Sequence, residues 1–276
     1  MSWFDKFVVA LQKRMTTPVN FGWFHLMFVG IIIVSTVLIC IFGKNVKSKT
    51  FRIIIMTGWI VILLFEIYKQ VVFAANYDGT KVTWKYEWNT FPFQFCSSPL
   101  YILPIIAFAK EGKFRDASMA FMSTFALFAG LAVYAYPNDV FIRIIGVNIQ
   151  TMIHHGLQIV FGIYILVYNR KKLKWKYFLS GAIVFVVMCI LALLLNIIVN
   201  YTVVANTDIV FNMFYISPYT PCTLPVLDKI YLATPYIIFF ITYVVGFFII
   251  GALIFAIEYY VIKLCVNDTT KTKRTN

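Results

Sequence analysis

The stretch GWFHLMFVGIIIVSTVLICIF, residues 22–42, contains no acidic residue and no lysine or arginine. A transmembrane helix needs about 20 mostly apolar residues to cross the roughly 30 Å hydrocarbon core of a bilayer. Six further runs of comparable character follow at residues 53–75, 92–109, 116–136, 145–168, 177–200 and 233–262. The sequence therefore predicts an all-α fold, a polytopic transmembrane helical bundle with about seven spans.

The composition of the whole chain leaves little sequence for a soluble domain. Hydrophobic residues make up 61% of the 276 positions and charged residues only 13%, against about 25% charged residues in ordinary soluble domains. We predict a single transmembrane bundle over residues 22–263 and a short basic cytoplasmic tail over residues 264–276. Residues 1–21 are predicted to form an interfacial amphipathic segment, because one helical face collects Trp3, Phe4, Phe7, Val8 and Leu11.

The basic residues predict which loops face the cytoplasm. The net charge is +13, and 16 of the 24 Lys and Arg residues lie in the loops 43–52, 110–115 and 169–176 and at the C-terminal end. Because cytoplasmic loops are enriched in Lys and Arg, we predict an extracellular N-terminus and a cytoplasmic C-terminus. This placement accounts for the positive charge without a nucleic-acid partner. Abundant Phe, Ile, Asn, Lys and Tyr are typical of an A+T-rich bacterial genome, so we expect a bacterial plasma membrane.

Polar and ionisable side chains inside the predicted spans are candidates for function, because burying them in lipid costs free energy. With the predicted topology they gather in the outer half of the bilayer: His25, Glu66, Gln94, Cys96, Ser97, Ser98, Asn148, Gln150, Thr151, His154, His155 and Gln158. Five residues of the fifth span form a polar stripe at helical spacing, and we expect it to face the bundle: Asn148, Thr151, His155, Gln158 and Gly162. His154 lies beyond the edge of that stripe.

The stretch TFPFQFCSSPLYILP, residues 90–104, predicts interrupted backbone hydrogen bonding at membrane depth. Pro99 and Pro104 remove the donors that would bond the carbonyl groups of Phe95 and Leu100. Such backbone is tolerated only where protein or a watery cavity satisfies it. Cys96, near the start of this helix, lies where the positive end of the helix dipole favours the thiolate, which is the nucleophilic form.

Several interpretations of these residues remain open from the sequence alone. Cys96 is a nucleophile, a disulfide partner of Cys222 on the same predicted side, or a packing residue. The histidines form a catalytic site or hydrogen-bonding struts between helices. Glu66 orients a histidine, or pairs with Lys69 or His25. The cysteine spacing indicates no metal site, and we expect no metal or other cofactor.

Two motifs resemble those of a known family. The sequences FPFQFCSSPLYILP at residues 91–104 and NIQTMIHHGLQIVFGIYIL at residues 148–166 are similar to motifs of the YwaF-type bacterial integral membrane family, which includes transmembrane protein 164 of animals. The element FNMFY, with Asn212 and Tyr215, resembles a third motif. Gln94 stands where the family commonly has histidine.

The resemblance implies transfer of a fatty acyl chain between lipids, or hydrolysis of a lipid ester, through an acyl-cysteine. It makes Cys96 the nucleophile and His155, or failing it His154, the general base. The substrates would be a membrane phospholipid and a lyso-lipid, and the oligomeric state is left open. A small-molecule or ion transporter that uses the same polar cluster as a binding site is the alternative. Amide donors to the oxyanion would be Gln94, Asn148 or Asn212.

Overall fold

The protein is described here by a computed structural model that covers residues 1–137, 140–205, 207 and 209–272, with side chains as far as Leu264. The prediction of an all-α polytopic bundle is confirmed. Among the described residues, six helices are long and apolar enough to cross a membrane: Trp23–Gly43, Ser48–Ala74, Lys113–Ala135, Ile145–Tyr168, Trp175–Val204 and Tyr236–Leu264. The last residues of the predicted basic tail, 273–276, lie outside the described part of the chain.

Ten α-helices and one β-hairpin make up the regular structure of the described chain. In order the helices are α1 (Trp3–Leu11), α2 (Trp23–Gly43), α3 (Ser48–Ala74), α4 (Pro99–Phe108), α5 (Lys113–Phe121), α6 (Leu127–Ala135), α7 (Ile145–Tyr168), α8 (Trp175–Val199), α9 (Leu227–Ala233) and α10 (Tyr236–Thr272). The π-helical turns Met122–Ala126 and Asn200–Val204 join α5 to α6 and extend α8. Strands β1 (Ala75–Tyr77) and β2 (Val82–Trp84) pair antiparallel directly after α3.

The three basic loops meet at one end of the bundle, as the topology prediction requires. Ser48 Oγ donates to Glu111 Oε1 at 2.9 Å, and Arg170 Nη1 donates to the Lys44 carbonyl at 2.9 Å. We call this the basic end, and the opposite end, which carries β1 and β2, the hairpin end. Helix α1 packs at the hairpin end, where the Leu11 carbonyl accepts from Tyr68 Oη at 2.7 Å.

The third predicted span is helical over only part of its length. Residues 91–98 are mostly irregular, and α4 contributes ten residues. The segment nevertheless runs antiparallel to α3 from end to end, since Gln70 Nε2 donates to the Thr90 carbonyl at 2.7 Å and Arg52 Nη1 donates to the Ala109 carbonyl at 2.7 Å. The third predicted span is therefore irregular chain at the hairpin end and helix at the basic end.

The prolines account for this break, and a tryptophan compensates for part of it. Pro104 has no N–H to donate to the Leu100 carbonyl four residues earlier. Trp59 Nε1 on α3 donates to that carbonyl instead, at 3.0 Å. The sequence predicted that protein or a cavity would satisfy this group, and the structure identifies the donor as a protein side chain.

Trp59→Phe is expected to destabilise the protein by about 1–3 kcal/mol, because the buried Leu100 carbonyl loses its donor. In a Pro104→Ala background the new backbone N–H can bond the same carbonyl. The loss of unfolding free energy caused by Trp59→Phe should therefore be at most half as large there as in the wild type. The measurement is a double-mutant cycle of unfolding free energies in detergent, with Trp88→Phe as the control. An equal cost in both backgrounds would contradict the compensation.

A second irregular segment, residues 211–217, packs against the first. Phe214 is fully buried with φ at +58°, and its ring lies 5.8 Å from that of Phe93. Gln94 Nε2 donates to the Asn212 carbonyl at 2.9 Å, and Gln94 Oε1 accepts from the Phe214 N–H at 3.0 Å. Asn196 holds both backbone groups of Met213 in the same way. Side-chain amides thus satisfy backbone groups that have no helical partners.

Helix α7 lies at the centre of the bundle, in contact with α2, α3 and α6. The prediction that its polar stripe faces inward is confirmed, because all five residues are buried. At Gly130 on α6 a Cβ atom would lie 2.7 Å from the His155 carbonyl, so glycine permits the close approach of α6 to α7. The central position of α7 carries His154 and His155 into the protein interior rather than towards lipid.

Candidate functional site

The site centres on the carbonyl group of Cys96. This residue is half-buried in the 3₁₀ turn Phe95–Ser97, immediately before α4. Its carbonyl oxygen accepts hydrogen bonds from His154 Nε2, at 2.8 Å, and from Gln158 Nε2. Two side chains from adjacent turns of α7 therefore hold the interrupted backbone at Cys96 against the central helix.

For the neutral form of each imidazole, these contacts indicate which ring nitrogen carries the hydrogen. A carbonyl oxygen only accepts hydrogen bonds, so His154 carries its hydrogen on Nε2. The Thr151 carbonyl contacts His155 Nδ1 at 2.8 Å, so His155 carries its hydrogen on Nδ1. The remaining nitrogens, His154 Nδ1 and His155 Nε2, are buried without a described hydrogen-bond partner. Each neutral histidine therefore retains one basic nitrogen.

Of the two histidines, His154 makes the contact with the Cys96 carbonyl, although His155 is the one that belongs to the polar stripe. The ring centroids of His154 and His155 are 5.4 Å apart. Among the described contacts, the hydrogen bond from His154 goes to the Cys96 carbonyl oxygen, and neither ring is bonded to the sulfur.

Glu66 pairs with Lys69 and not with a histidine. Lys69 Nζ lies 2.8 Å from Glu66 Oε1, and both side chains are largely buried. Gln70 Nε2 also donates to Glu66 Oε1, at 2.7 Å, and ties the pair to the Thr90 carbonyl. The sequence named Lys69 only as a possible partner of Glu66, and the structure places this pair beside Gln70, which bonds the segment that leads to Cys96. The structure thus adds Lys69 to the site.

The amides expected to stabilise an oxyanion already donate to backbone carbonyl groups. Gln94 Nε2 donates to Asn212, Asn212 Nδ2 donates to Thr220 and Pro221, and Asn148 Nδ2 donates to Ile142 at 2.7 Å. Their role in the structure is to hold irregular chain. Ser98, which the sequence placed in the cluster without a role, is buried, and its Oγ has no described hydrogen-bond partner.

Two further predicted residues, His25 and Tyr215, lie on other elements. His25 is buried near the rings of Tyr134 and Phe141, and its Nδ1 accepts from the Phe21 N–H at 3.1 Å. This is a packing position at the start of α2. Tyr215 belongs to the irregular segment 211–217 and is partly exposed.

Cys96 and Cys222 are both free thiols, so the disulfide interpretation is wrong. Cys40 and Cys189 are free as well. Among the described side chains, no three His, Cys, Asp or Glu residues are grouped as a metal ion would need. The cluster around Cys96 is therefore a thiol with two imidazoles, a buried ion pair and a hydroxyl group.

Comparison with known proteins identifies one family. The sequence profile of the TMEM164 family matches residues 20–259, which include every residue of the site. No curated protein and no solved structure matches the chain.

Proposed function

The chain belongs to the TMEM164 family, and on this premise we propose that it transfers fatty acyl groups between lipids, or hydrolyses lipid esters, through a thioester on Cys96. The observation that carries the proposal is the hydrogen bonding of His154 and Gln158 to the Cys96 carbonyl. It holds a half-buried thiol beside two imidazoles that each retain a basic nitrogen. A thiol and a neighbouring base are the parts that nucleophilic acyl transfer requires.

The reaction proceeds in two steps. In the first, a histidine accepts the Cys96 proton, the sulfur attacks the ester carbonyl carbon, and the lyso-lipid leaves with that proton. In the second, the histidine accepts a proton from a lyso-lipid hydroxyl or from water, whose oxygen attacks the thioester. The Cys96 sulfur leaves and recovers the proton, so atoms and charges balance without a cofactor.

The contact with Cys96 makes His154 the first candidate for this base, and His155 is the second candidate. For the oxyanion we propose Ser98, because its buried hydroxyl is two residues from the nucleophile and has no described partner. The three predicted amides serve the backbone instead.

The working orientation of this site follows from the charge distribution. We propose that the hairpin end faces outward and the basic end faces the cytoplasm of a bacterial cell, as the positive-inside rule predicts. The site then lies in the outer half of the bilayer, where an acyl chain can enter between helices.

Lys81→Cys at the hairpin end is expected to react with a membrane-impermeant maleimide in intact cells. Lys47→Cys at the basic end should react only after permeabilisation, because both positions are exposed but on opposite sides. The measurement is gel-shift labelling, with the wild type as background. If only Lys47→Cys is labelled in intact cells, the basic end faces outward and the proposed orientation is wrong.

The experiment that tests the proposed function is intact-mass analysis of the purified wild-type protein after incubation with mixed phospholipids. We expect an added fatty acyl mass that hydroxylamine removes, since hydroxylamine cleaves thioesters. Absence of this adduct, together with no release of fatty acid or lyso-lipid, would leave transport of a small molecule as the better explanation of the cluster. The buried Glu66 and Lys69 pair would then be its ion-binding element.

A further inference from the structure

Lys69 and Glu66 form an ion pair within the bundle that the mechanism above does not use. Glu66 is 5% exposed, and its second oxygen, Oε2, has no described hydrogen-bond partner. Ionisable groups at membrane depth are costly and mark binding or transport sites in many membrane proteins. An ammonium group has three donors, and the described contacts of Lys69 give it one acceptor, Glu66 Oε1.

The pair lies on the hairpin side of Cys96. Thr90 is bonded to Gln70, the neighbour of Lys69, and Cys96 follows six residues later on the segment that runs along α3. Trp59 on α3 donates to the Leu100 carbonyl, and Gln70 and Trp59 are about 16 Å apart at 1.5 Å per residue, so Cys96 lies between these two levels, on the basic side of Lys69. Pairing with Glu66, one turn back along α3, draws the ammonium towards the basic end and so shortens the separation along the helix axis.

We propose that Lys69 binds the phosphate group of the lipid substrate and so makes the site selective for phosphate-bearing lipids over neutral glycerolipids. The inference rests on the proposed function for the reaction, but not for binding. Glu66 positions Lys69 and offsets its charge while the site is empty of lipid. The phosphate of a phospholipid is only a few bonds from its ester groups, so one molecule can contact Lys69 while an ester reaches Cys96.

Lys69 and Cys96 also follow one another in the same order as the phosphate and ester groups of a phospholipid. A phospholipid in the outer leaflet carries its phosphate nearest to water and its ester groups just below. With the hairpin end outward, Lys69 is nearer to the outer surface than Cys96, which is the same order. A neutral diacylglycerol has the esters without the phosphate, and it therefore isolates the contribution of Lys69.

The first test measures binding and does not depend on catalysis. Full-length Cys96→Ala protein in detergent is titrated with dihexanoylphosphatidylcholine and with dihexanoylglycerol, and native mass spectrometry gives the bound fraction. Adding Lys69→Met is expected to weaken phosphatidylcholine binding about tenfold and diacylglycerol binding less than twofold. Lys69→Arg should keep the selectivity, and Lys85→Met, an exposed lysine at the hairpin end, serves as the matched control.

Lys69→Met leaves a buried carboxylate without its cation, so folding requires its own control. The double variant Lys69→Met with Glu66→Gln removes both charges and should show the same loss of selectivity. Equal weakening for both lipids, no weakening for either, or no binding of either probe to the parent protein would overturn the proposal. Displacement of the phospholipid by inorganic phosphate at the same concentration would assign the site to a free anion and also overturn it.

A second arm separates this inference from the proposed function. In the wild-type background, acyl adducts on Cys96 are compared for a phospholipid and a diacylglycerol with the same chains. Selective loss of the phospholipid adduct in Lys69→Met supports both proposals. Selective binding without any adduct in the wild type supports the phosphate site and refutes the acyl-cysteine, whereas adducts with unaltered selectivity refute only the role of Lys69.

Discussion

Cys96→Ala is expected to abolish the hydroxylamine-sensitive acyl adduct and to lower lipid acyl transfer or hydrolysis at least a hundredfold, to background. The sulfur is the atom that forms the thioester, and alanine offers no replacement. The substitution removes only the sulfur atom of a half-buried residue, so the free energy of unfolding should change by only about 1 kcal/mol. Intact-mass spectra, release of fatty acid from vesicles and a thermal unfolding curve on the same sample make the measurement.

The matched control for this variant is Cys222→Ala, since Cys222 is also a free thiol and is more deeply buried. It should keep the adduct and the transfer rate. Cys96→Ser preserves size and polarity but supplies a weaker nucleophile, so it should also lose most of the activity. A Cys96→Ser or Cys96→Ala protein with near wild-type rates would contradict the thioester and favour the transporter, for which the sulfur is dispensable.

The long helices were predictable because their signal is local. A run such as residues 22–42 has no plausible structure in lipid other than a helix, since every backbone polar group must be satisfied within the segment. The predicted span 145–168 coincides with α7 for the same reason. The α1 helix was predictable from its amphipathic pattern, and a capping box that joins Ser2 and Asp5 begins it.

The course of the irregular segments was less predictable, because their partners are distant in sequence. Pro99 and Pro104 indicated a break, but its compensation depends on Trp59, about 40 residues earlier. Residues 211–217 were predicted as part of a loop between spans. Their position against residues 91–98 depends on hydrogen bonds from Gln94, more than a hundred residues away. Only the aromatic character of FNMFY signalled that this stretch avoids water.

The choice between the histidines shows a similar limit. Helical spacing grouped His155 with the polar stripe and left His154 outside it, and this is correct as a description of α7. The segment that carries Cys96, however, packs at one edge of that stripe, where Gln158 of the stripe and His154 just beyond it donate to the Cys96 carbonyl. A single-helix projection cannot locate a neighbouring segment, so the stripe predicted burial correctly but did not indicate which of its edges meets Cys96.

His154→Gln is expected to lower acyl transfer by about 10²–10⁴-fold, the range that removal of a general base produces, while the protein still folds. The glutamine amide N–H can replace the bond from Nε2 to the Cys96 carbonyl, but it has no basic nitrogen in place of Nδ1. His155→Asn is the matched variant, since its amide can replace the bond from Nδ1 to Thr151 and it lacks the basic Nε2.

The two variants together separate a base from a strut between helices. If His154 is the base, His154→Gln loses activity at unchanged thermal stability, and His155→Asn keeps most of it. The reverse pattern would assign the base to His155, as the family resemblance implies, and would leave His154 as a support for the Cys96 carbonyl. Full activity in both variants, with only His154→Ala destabilised, would make both histidines structural, and the acyl-cysteine would then need another base within reach of Cys96. Single-turnover rates of adduct formation between pH 6 and pH 9 distinguish these cases, because loss of the base removes the step itself rather than lipid binding.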